Sequence, residues 1–170
     1  VPFSTCPGTA INIGGSPTVT SGNPPYISYV WDFGAGTGPN PSVNPANNTI
    51  YTLIVTDAAG CRQIGQAPVF TYKADAGPDK SDCANTPVKI GTPQITGVAG
   101  IVYDWQPGTG LTGTTIAQPF ANPPLTTDYI LTLTVPRSGA GTCSTKDTVR
   151  VTPVAAPVTA NFAGPDRVMC

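Results

Sequence analysis

The sequence predicts an all-β protein built of tandem antiparallel β-sandwich domains, and three observations carry that prediction. An aromatic phrase occurs twice: Tyr29-Val30-Trp31-Asp32-Phe33-Gly34-Ala35-Gly36 returns as Tyr103-Asp104-Trp105-Gln106-Pro107-Gly108-Thr109-Gly110, both reading Tyr-x-Trp-x-x-Gly-x-Gly. A period of two also occurs twice, in Tyr51, Leu53 and Val55 and again in Tyr129, Leu131, Leu133 and Val135, as expected of strands with one buried face. Finally, Val, Thr, Ile and Tyr crowd these periodic segments, while all nine acidic residues are Asp and none is Glu. Strand and turn formers dominate, and good helix formers are scarce.

The elements follow in order. Cys6 precedes a strand-like Thr9 to Ile13, closed by Gly14-Gly15, and Gly22-Asn23-Pro24-Pro25 signals a turn. The central strand runs from about Tyr26 to Phe33. Its aromatic pair at a spacing of two puts both rings on one face, and the glycines that follow let the backbone turn. A Gly-, Pro- and Asn-rich connection over 34–48 leads to the alternating strand Ile50 to Thr56. Asp57-Ala58-Ala59-Gly60 then makes a hairpin turn, Cys61 follows it, and Ile64 to Tyr72 is the returning strand. The second repeat opens with Ala76-Gly77-Pro78-Asp79 and Cys83. A strand around Val88-Lys89-Ile90 follows, then the strand of Tyr103 and Trp105, the alternating strand Asp128 to Val135, a looser hairpin carrying Cys143, and a closing strand around Thr148 to Thr152.

The phrase that opens the second repeat returns as Ala163-Gly164-Pro165-Asp166 and Cys170, 87 residues later. Domain boundaries are therefore placed at 1–73 and 74–157, with 158–170 the start of a further repeat. The sequence begins without Met or a signal peptide and stops inside that phrase, so a processed or excerpted piece of something longer is expected.

Composition narrows the function. Prolines number 20 and glycines 19, a level that suggests disorder in a poorly hydrophobic chain, but the hydrophobic fraction is 39%, enough for a core. A net charge of −1 with 10% charged residues leaves no basic footprint for nucleic acid or an anionic membrane. No apolar run approaches the roughly 18 to 20 residues of a membrane helix. Histidine is absent, which removes the usual general base and the commonest metal ligand. No Ser or Cys is flanked by a recognisable base, and no enzyme is expected.

The phrase Tyr29 to Gly36 resembles the Tyr-x-Trp-Asp-Phe-Gly-Asp-Gly signature of polycystic-kidney-disease (PKD) domains, with Ala35 where that family usually has Asp. The second repeat departs further, with Gln106-Pro107 in place of the Asp-Phe pair. Its Trp-x-Pro-x-x-Gly-Leu phrase (Trp105 to Leu111), the Thr-Thr-x-Tyr of Thr126 to Tyr129 and the Ala-Gly-Pro-Asp opening are similar to PKD-like and Ig-like repeats of very large Bacteroidetes surface proteins. The resemblance implies tandem Ig-like (PKD-like) β-sandwiches in a cell-surface adhesin or gliding-motility protein exported by the type IX secretion route. It implies little about a ligand, since such modules serve adhesins, enzymes and stalks alike.

Each repeat has one cysteine near its start and one just after the hairpin: Cys6 and Cys61, then Cys83 and Cys143. Regular pairs in a repeated extracellular module read as disulfides. Bonds within each repeat are favoured because a self-contained unit is simplest, and a bond between repeats such as Cys6 to Cys143 stays open. Cys170 is expected to find its mate beyond the last residue. Asp75, Asp79 and Asp82 cluster at the junction and make calcium a candidate cofactor, against the plainer reading that Asp favours turns. No other cofactor is expected. Tyr29, Trp31, Tyr103 and Trp105 are read as core aromatics rather than a sugar-stacking platform. Thr148, in Asp147-Thr148-Val149, resembles an O-glycosylation sequence of Bacteroidetes, and Asn47-Asn48-Thr49 fits an N-glycosylation sequon.

The function expected is non-catalytic. The modules would be structural and adhesive spacers of a long extracellular, cell-surface protein or filament, partnered by neighbouring repeats, like subunits or surface glycans. Pro-rich junctions at 74–78 and 153–165 suit semi-rigid linkage. The alternative is a carbohydrate-binding or spacer accessory region of a secreted hydrolase, which an exposed aromatic strip on one sheet face would favour.

Overall fold

In a computed structural model that describes residues 2–15, 19, 21–139 and 141–155, each repeated phrase becomes the same strand of the same small β unit. The first repeat runs β1 (Phe3–Thr5), β2 (Ile11–Asn12), β3 (Tyr26–Trp31), β4 (Ser42–Val43), β5 (Thr49–Asp57) and β6 (Arg62–Thr71). The second runs β7 (Lys80–Cys83), β8 (Val88–Lys89), β9 (Val102–Gln106), β10 (Phe120–Ala121), β11 (Thr127–Pro136) and β12 (Thr142–Val154). The described residues contain no helix. The third-repeat phrase and Cys170 lie outside them.

The topology is duplicated. A four-stranded sheet β1-β6-β5-β3 and a two-stranded sheet β2-β4 make the first repeat; β7-β12-β11-β9 and β10-β8 make the second. The expectation of wholly antiparallel sheets needs one correction in each. The opening strand lies parallel to the last, Phe3 opposite Val69 and Lys80 opposite Val151. A parallel neighbour needs a long connection, and here the whole of β2 to β5 intervenes between β1 and β6. Local alternation reports which face of a strand is buried but not the direction of its neighbour.

Alternation in β5 is carried through: Tyr51, Leu53, Val55 and Asp57 are buried and the residues between them are not. Tyr51, Leu53 and Val55 meet Ile11 and Val43 from the two-stranded sheet and Ile13 just after it, together with Trp31, Ala67 and Val69. That contact makes the unit a sandwich, because each sheet hides its apolar face on the other. In the second repeat Trp105, Tyr129, Leu131, Leu133, Val149 and Val151 are buried from the large sheet, and Ile90 and Ala121 from beside and within the small one. Of the four aromatics read as core, Trp31, Tyr103 and Trp105 are buried. Tyr29 is only half-buried, packed edge-on against Tyr26 with ring centroids 6.3 Å apart.

The chain divides at Lys73 and Ala74, and one segment does not follow the repeat boundary. Val1–Lys73 and Val135–Ser144 form one compact unit, and Ala74–Thr134 with the described residues from Thr145 onward form the other. The tip of the β11–β12 hairpin thus belongs to the unit of the repeat before it.

Close packing leaves one glycine no alternative. At Gly91, φ is +79°, and a Cβ there would fall on the Ala117 carbonyl and lie 3.0 Å from the Trp105 ring. Gly91→Ala is therefore expected to destabilise the second unit by about 3 kcal/mol, from backbone strain and overpacking together, read as a lower denaturation midpoint with the first unit unchanged.

Candidate functional site

Opening strand β1 ends at Thr5, whose side chain is fully buried, and Cys6 follows it at 1% exposure. Cys6 is bonded to Cys143, with Cα atoms 6.0 Å apart and 137 residues between them, within the range a disulfide bridges. The bond expected within the first repeat is therefore not the one formed: Cys61 is exposed and free. Cys83 is also disulfide-bonded, but Cys143 is not its partner, so the second expected pair is replaced as well. The reason is topological. Parallel pairing sets Thr5 opposite Thr71, so Cys6 lies at the far end of the ten-residue β6 from Cys61, while the hairpin segment Val135–Ser144 brings Cys143 into the same compact unit.

Polar contacts hold this joint beside the disulfide. Ser4 donates its hydroxyl to the Pro136 carbonyl at 2.8 Å, and the Ser4 amide donates to the Ser138 hydroxyl at 2.9 Å. The Ser138 amide in turn donates to the Ser4 carbonyl at 3.1 Å. Arg137 donates from Nη1 to the Ala10 carbonyl at 2.9 Å. A shallow cleft of about 340 Å³ lined by Ala10, Ile11, Asn12, Ser42, Arg137, Ser138 and Gly139 flanks these contacts. Ser4, Arg137 and Ser138 did not stand out in the sequence. The signal that was present is the recurrence of Ser4-Thr5-Cys6 as Ser81-Asp82-Cys83.

At the first repeat's own hairpin, Asp57 organises the turn. Its side chain is 8% exposed, and Oδ1 accepts the amides of Ala59 and Cys61, both at 2.9 Å, while Oδ2 accepts that of Asn23 at 3.2 Å. The Cys61 amide, ahead of a partly opposing effect of burial and the remaining amides, holds the carboxyl below its ordinary value of 3.8. Cys61, Asp57, Arg62, Tyr26, Ser21 and Gly22 line a cleft of about 200 Å³.

The junction aspartates are not gathered into one site. Asp75 Oδ1 accepts the Gly77 amide at 3.0 Å, Asp82 Oδ1 the Cys83 amide at 2.7 Å and Asp79 Oδ1 the Arg150 amide at 2.9 Å. Each carboxylate serves a different backbone amide, as short polar side chains do in turns. Among the described residues no three His, Cys, Asp or Glu side chains sit together as a metal set. Thr148 and Asn47 are exposed, on β12 and before β5 respectively.

The solvent face of the large sheet in the first unit carries a short aliphatic row, flanked by Thr52, Gln66 and Arg62 and, toward the far end of β6, by Phe70 at 39% exposure. Val30 lies opposite Ile54, and Ile54 opposite Ile64. Val30 and Ile64 are 47% and 63% exposed. Phe33, at φ +50° in the turn after β3, is 75% exposed and meets Tyr51 edge-on, with centroids 5.9 Å apart.

Two outcomes follow. Replacing Cys6 and Cys143 together by Ser is expected to lower stability by about 5 kcal/mol, the loop-entropy value for a closure of this length, measured by urea unfolding against the unreduced protein. Asp57 carries a pH effect of defined sign. Its folded pKa is lowered, so its contribution is fully present above the ordinary value of 3.8 and is lost as pH falls through the lowered folded value. Asp57→Asn should show a stability deficit that is constant near neutral pH and shrinks below about pH 4, followed by urea midpoints across a pH series.

No protein-family model matches the chain, and no curated protein matches it. Among solved structures, 89% of the chain is similar to SGBP-B of the Bacteroides ovatus mixed-linkage glucan utilization locus, seen in complex with a mixed-linkage heptasaccharide. The identity is 14%, the TM-score 0.25, and 43% of that chain is covered. An equal share of the chain is similar to extracellular cadherin domains 1–4 of protocadherin Gamma B7, at 11% identity and a TM-score of 0.29, covering 48% of it. The chain thus spans less than half the length of either structure, and at such identities and scores the question of function falls to the chain's own residues.

Proposed function

We propose that this chain is a stretch of a long extracellular array of PKD-like β-sandwich repeats whose role is structural and adhesive rather than catalytic. One observation carries the reading. The second repeat's hairpin tip, Val135–Ser144, belongs to the first repeat's compact unit and is cross-linked there through Cys6 and Cys143. The polypeptide leaves the first unit, enters the second, returns and leaves again, so tension along the chain is borne by packed strands and a disulfide rather than by a single linker. A persistent disulfide suits an oxidising, extracellular setting. The absence of histidine throughout the sequence supports a non-catalytic role. The motif resemblance points to repeats of large Bacteroidetes surface adhesins and gliding-motility proteins, exported by type IX secretion, with neighbouring repeats or like subunits as partners. Thr148, on exposed β12, is available to a glycan.

A carbohydrate-binding accessory role is the second reading, and Phe33 is the residue that favours it, as a largely exposed ring fixed against Tyr51. The middle of the exposed sheet face argues the other way, because Val30, Ile54 and Ile64 are aliphatic, and the one exposed ring on that face, Phe70, stands alone near the end of β6 rather than in an aromatic strip.

Electron microscopy of the intact protein purified from its source is expected to show a rod of closely spaced modules. Isolated modules strung on flexible linkers toward a separate tip domain would overturn the interlocked array. Binding to immobilised polysaccharides that drops at least tenfold in Phe33→Ala would establish the carbohydrate reading in its place.

A further inference from the structure

Cys61 and Cys143 hold the same place in successive repeats. Cys61 immediately precedes β6 and Cys143 is the second residue of β12. These are the last strands of the two hairpins, within sheets of identical strand order. Cys143 is bonded to Cys6, just after the opening strand of the preceding repeat, whereas Cys61 is exposed with a free thiol. The tip that carries Cys143 also exchanges hydrogen bonds with Ser4 and Ala10. This hairpin tip is therefore a joint that receives an opening strand, and the first repeat places a cysteine at the same strand position, eight residues before the Val that pairs with its own opening strand, on a shorter tip.

We infer that the Asp57 to Cys61 tip receives the opening strand of a further module of the same kind, lying N-terminal to it in the same polypeptide, and that Cys61 is cross-linked to that strand's cysteine. The partner is defined by chemistry: a short strand with Ser two residues before Cys, as in Ser4-Thr5-Cys6 and Ser81-Asp82-Cys83. The observed bond sets the choice of one polypeptide over a second copy, because there the opening strand precedes the hairpin on one chain. The receiving tip is already ordered. Asp57 fixes the Cys61, Ala59 and Asn23 amides, and the cleft beside the thiol is lined by Ser21, Tyr26 and Arg62. Two thiols are oxidised in forming the bond. The S–S bond replaces two S–H bonds, and two electrons and two protons pass to a disulfide oxidant that leaves as a dithiol.

The inference rests on the array reading, and its test separates the two. The intact protein from its source is alkylated without reduction and cleaved on the N-terminal side of Asp, which places Cys61 in the fragment from Asp57 to Ala74, apart from Cys6, Cys83 and Cys143. The expected result is an unalkylated fragment joined to a peptide from outside the present 170 residues that has Ser two positions before its Cys, in protein that runs as a monomer on a non-reducing denaturing gel. An alkylated Cys61, a bond to Cys6, Cys83 or Cys143, or a cross-linked dimer would each overturn the inference. Cys61→Ser gives a second readout of opposite sign. Accessible thiols rise by one per chain if Cys61 is bonded and fall by one if it is free. A rod-like array with an alkylated Cys61 would refute this joint and leave the array reading standing, whereas the absence of an array in micrographs would refute both.

Discussion

An indole buried between two sheets must find an acceptor for its N–H, and both repeats are arranged around that requirement. Trp31 Nε1 donates to the Gly38 carbonyl and Trp105 Nε1 to the Ile116 carbonyl, each at 2.9 Å. Both acceptors lie in the irregular segment that follows the Trp strand. An unmet donor at that depth would cost about 1–3 kcal/mol, so the segment is held against the ring. The backbone is pinned at the same place: the Trp31 amide donates to the Gly36 carbonyl and that of Trp105 to the Thr114 carbonyl. Gly36, at φ +117°, permits the tight reversal in the first repeat. In the second, Gly91 lets the chain approach the Trp105 ring more closely than a side chain would allow. The two-stranded sheets then have a fixed surface to close over.

Once the Trp strand and the central hairpin are set, the opening strand takes the edge beside the last strand of the large sheet, opposite the edge held by the Trp strand. That edge is where the repeats become interdependent. Parallel pairing of β1 with β6 brings Ser4 and Cys6 to the place where Val135–Ser144 packs, and the disulfide and the hydrogen bonds there join residues more than 120 positions apart. Covering a sheet margin in this way also deals with the hazard of an unpaired edge. The mechanical reading of the chain comes from this exchange rather than from any pocket.

The aspartates show how the same residue type is put to structural use. Asp57, Asp75, Asp79 and Asp82 each accept backbone amides at turns or strand ends. In a chain without Glu, the short Asp side chain supplies the acceptors that short strands and many turns require. The bidentate pair of Arg150 with Asp128, at 2.7 and 2.8 Å, is largely solvent-exposed and adds little to stability.

The sequence by itself determined the all-β class, the duplication, the alternation of Tyr51, Leu53 and Val55 and of Tyr129, Leu131 and Leu133, and the burial of Trp31, Tyr103 and Trp105. All of these are properties of a strand and its own side chains, and a period of two with recurring aromatics reports them locally. Only the tertiary structure decided the parallel placement of β1 and β7, the half-exposure of Tyr29 at a sheet edge and the dispersal of Asp75, Asp79 and Asp82 onto separate amides. It also decided which cysteine meets which. Cys6 has Cys61 as the nearer candidate along the chain and Cys143 as its partner in space, because parallel pairing of β1 with β6 leaves Cys6 and Cys61 at opposite ends of β6, and spacing along a sequence does not encode that distance.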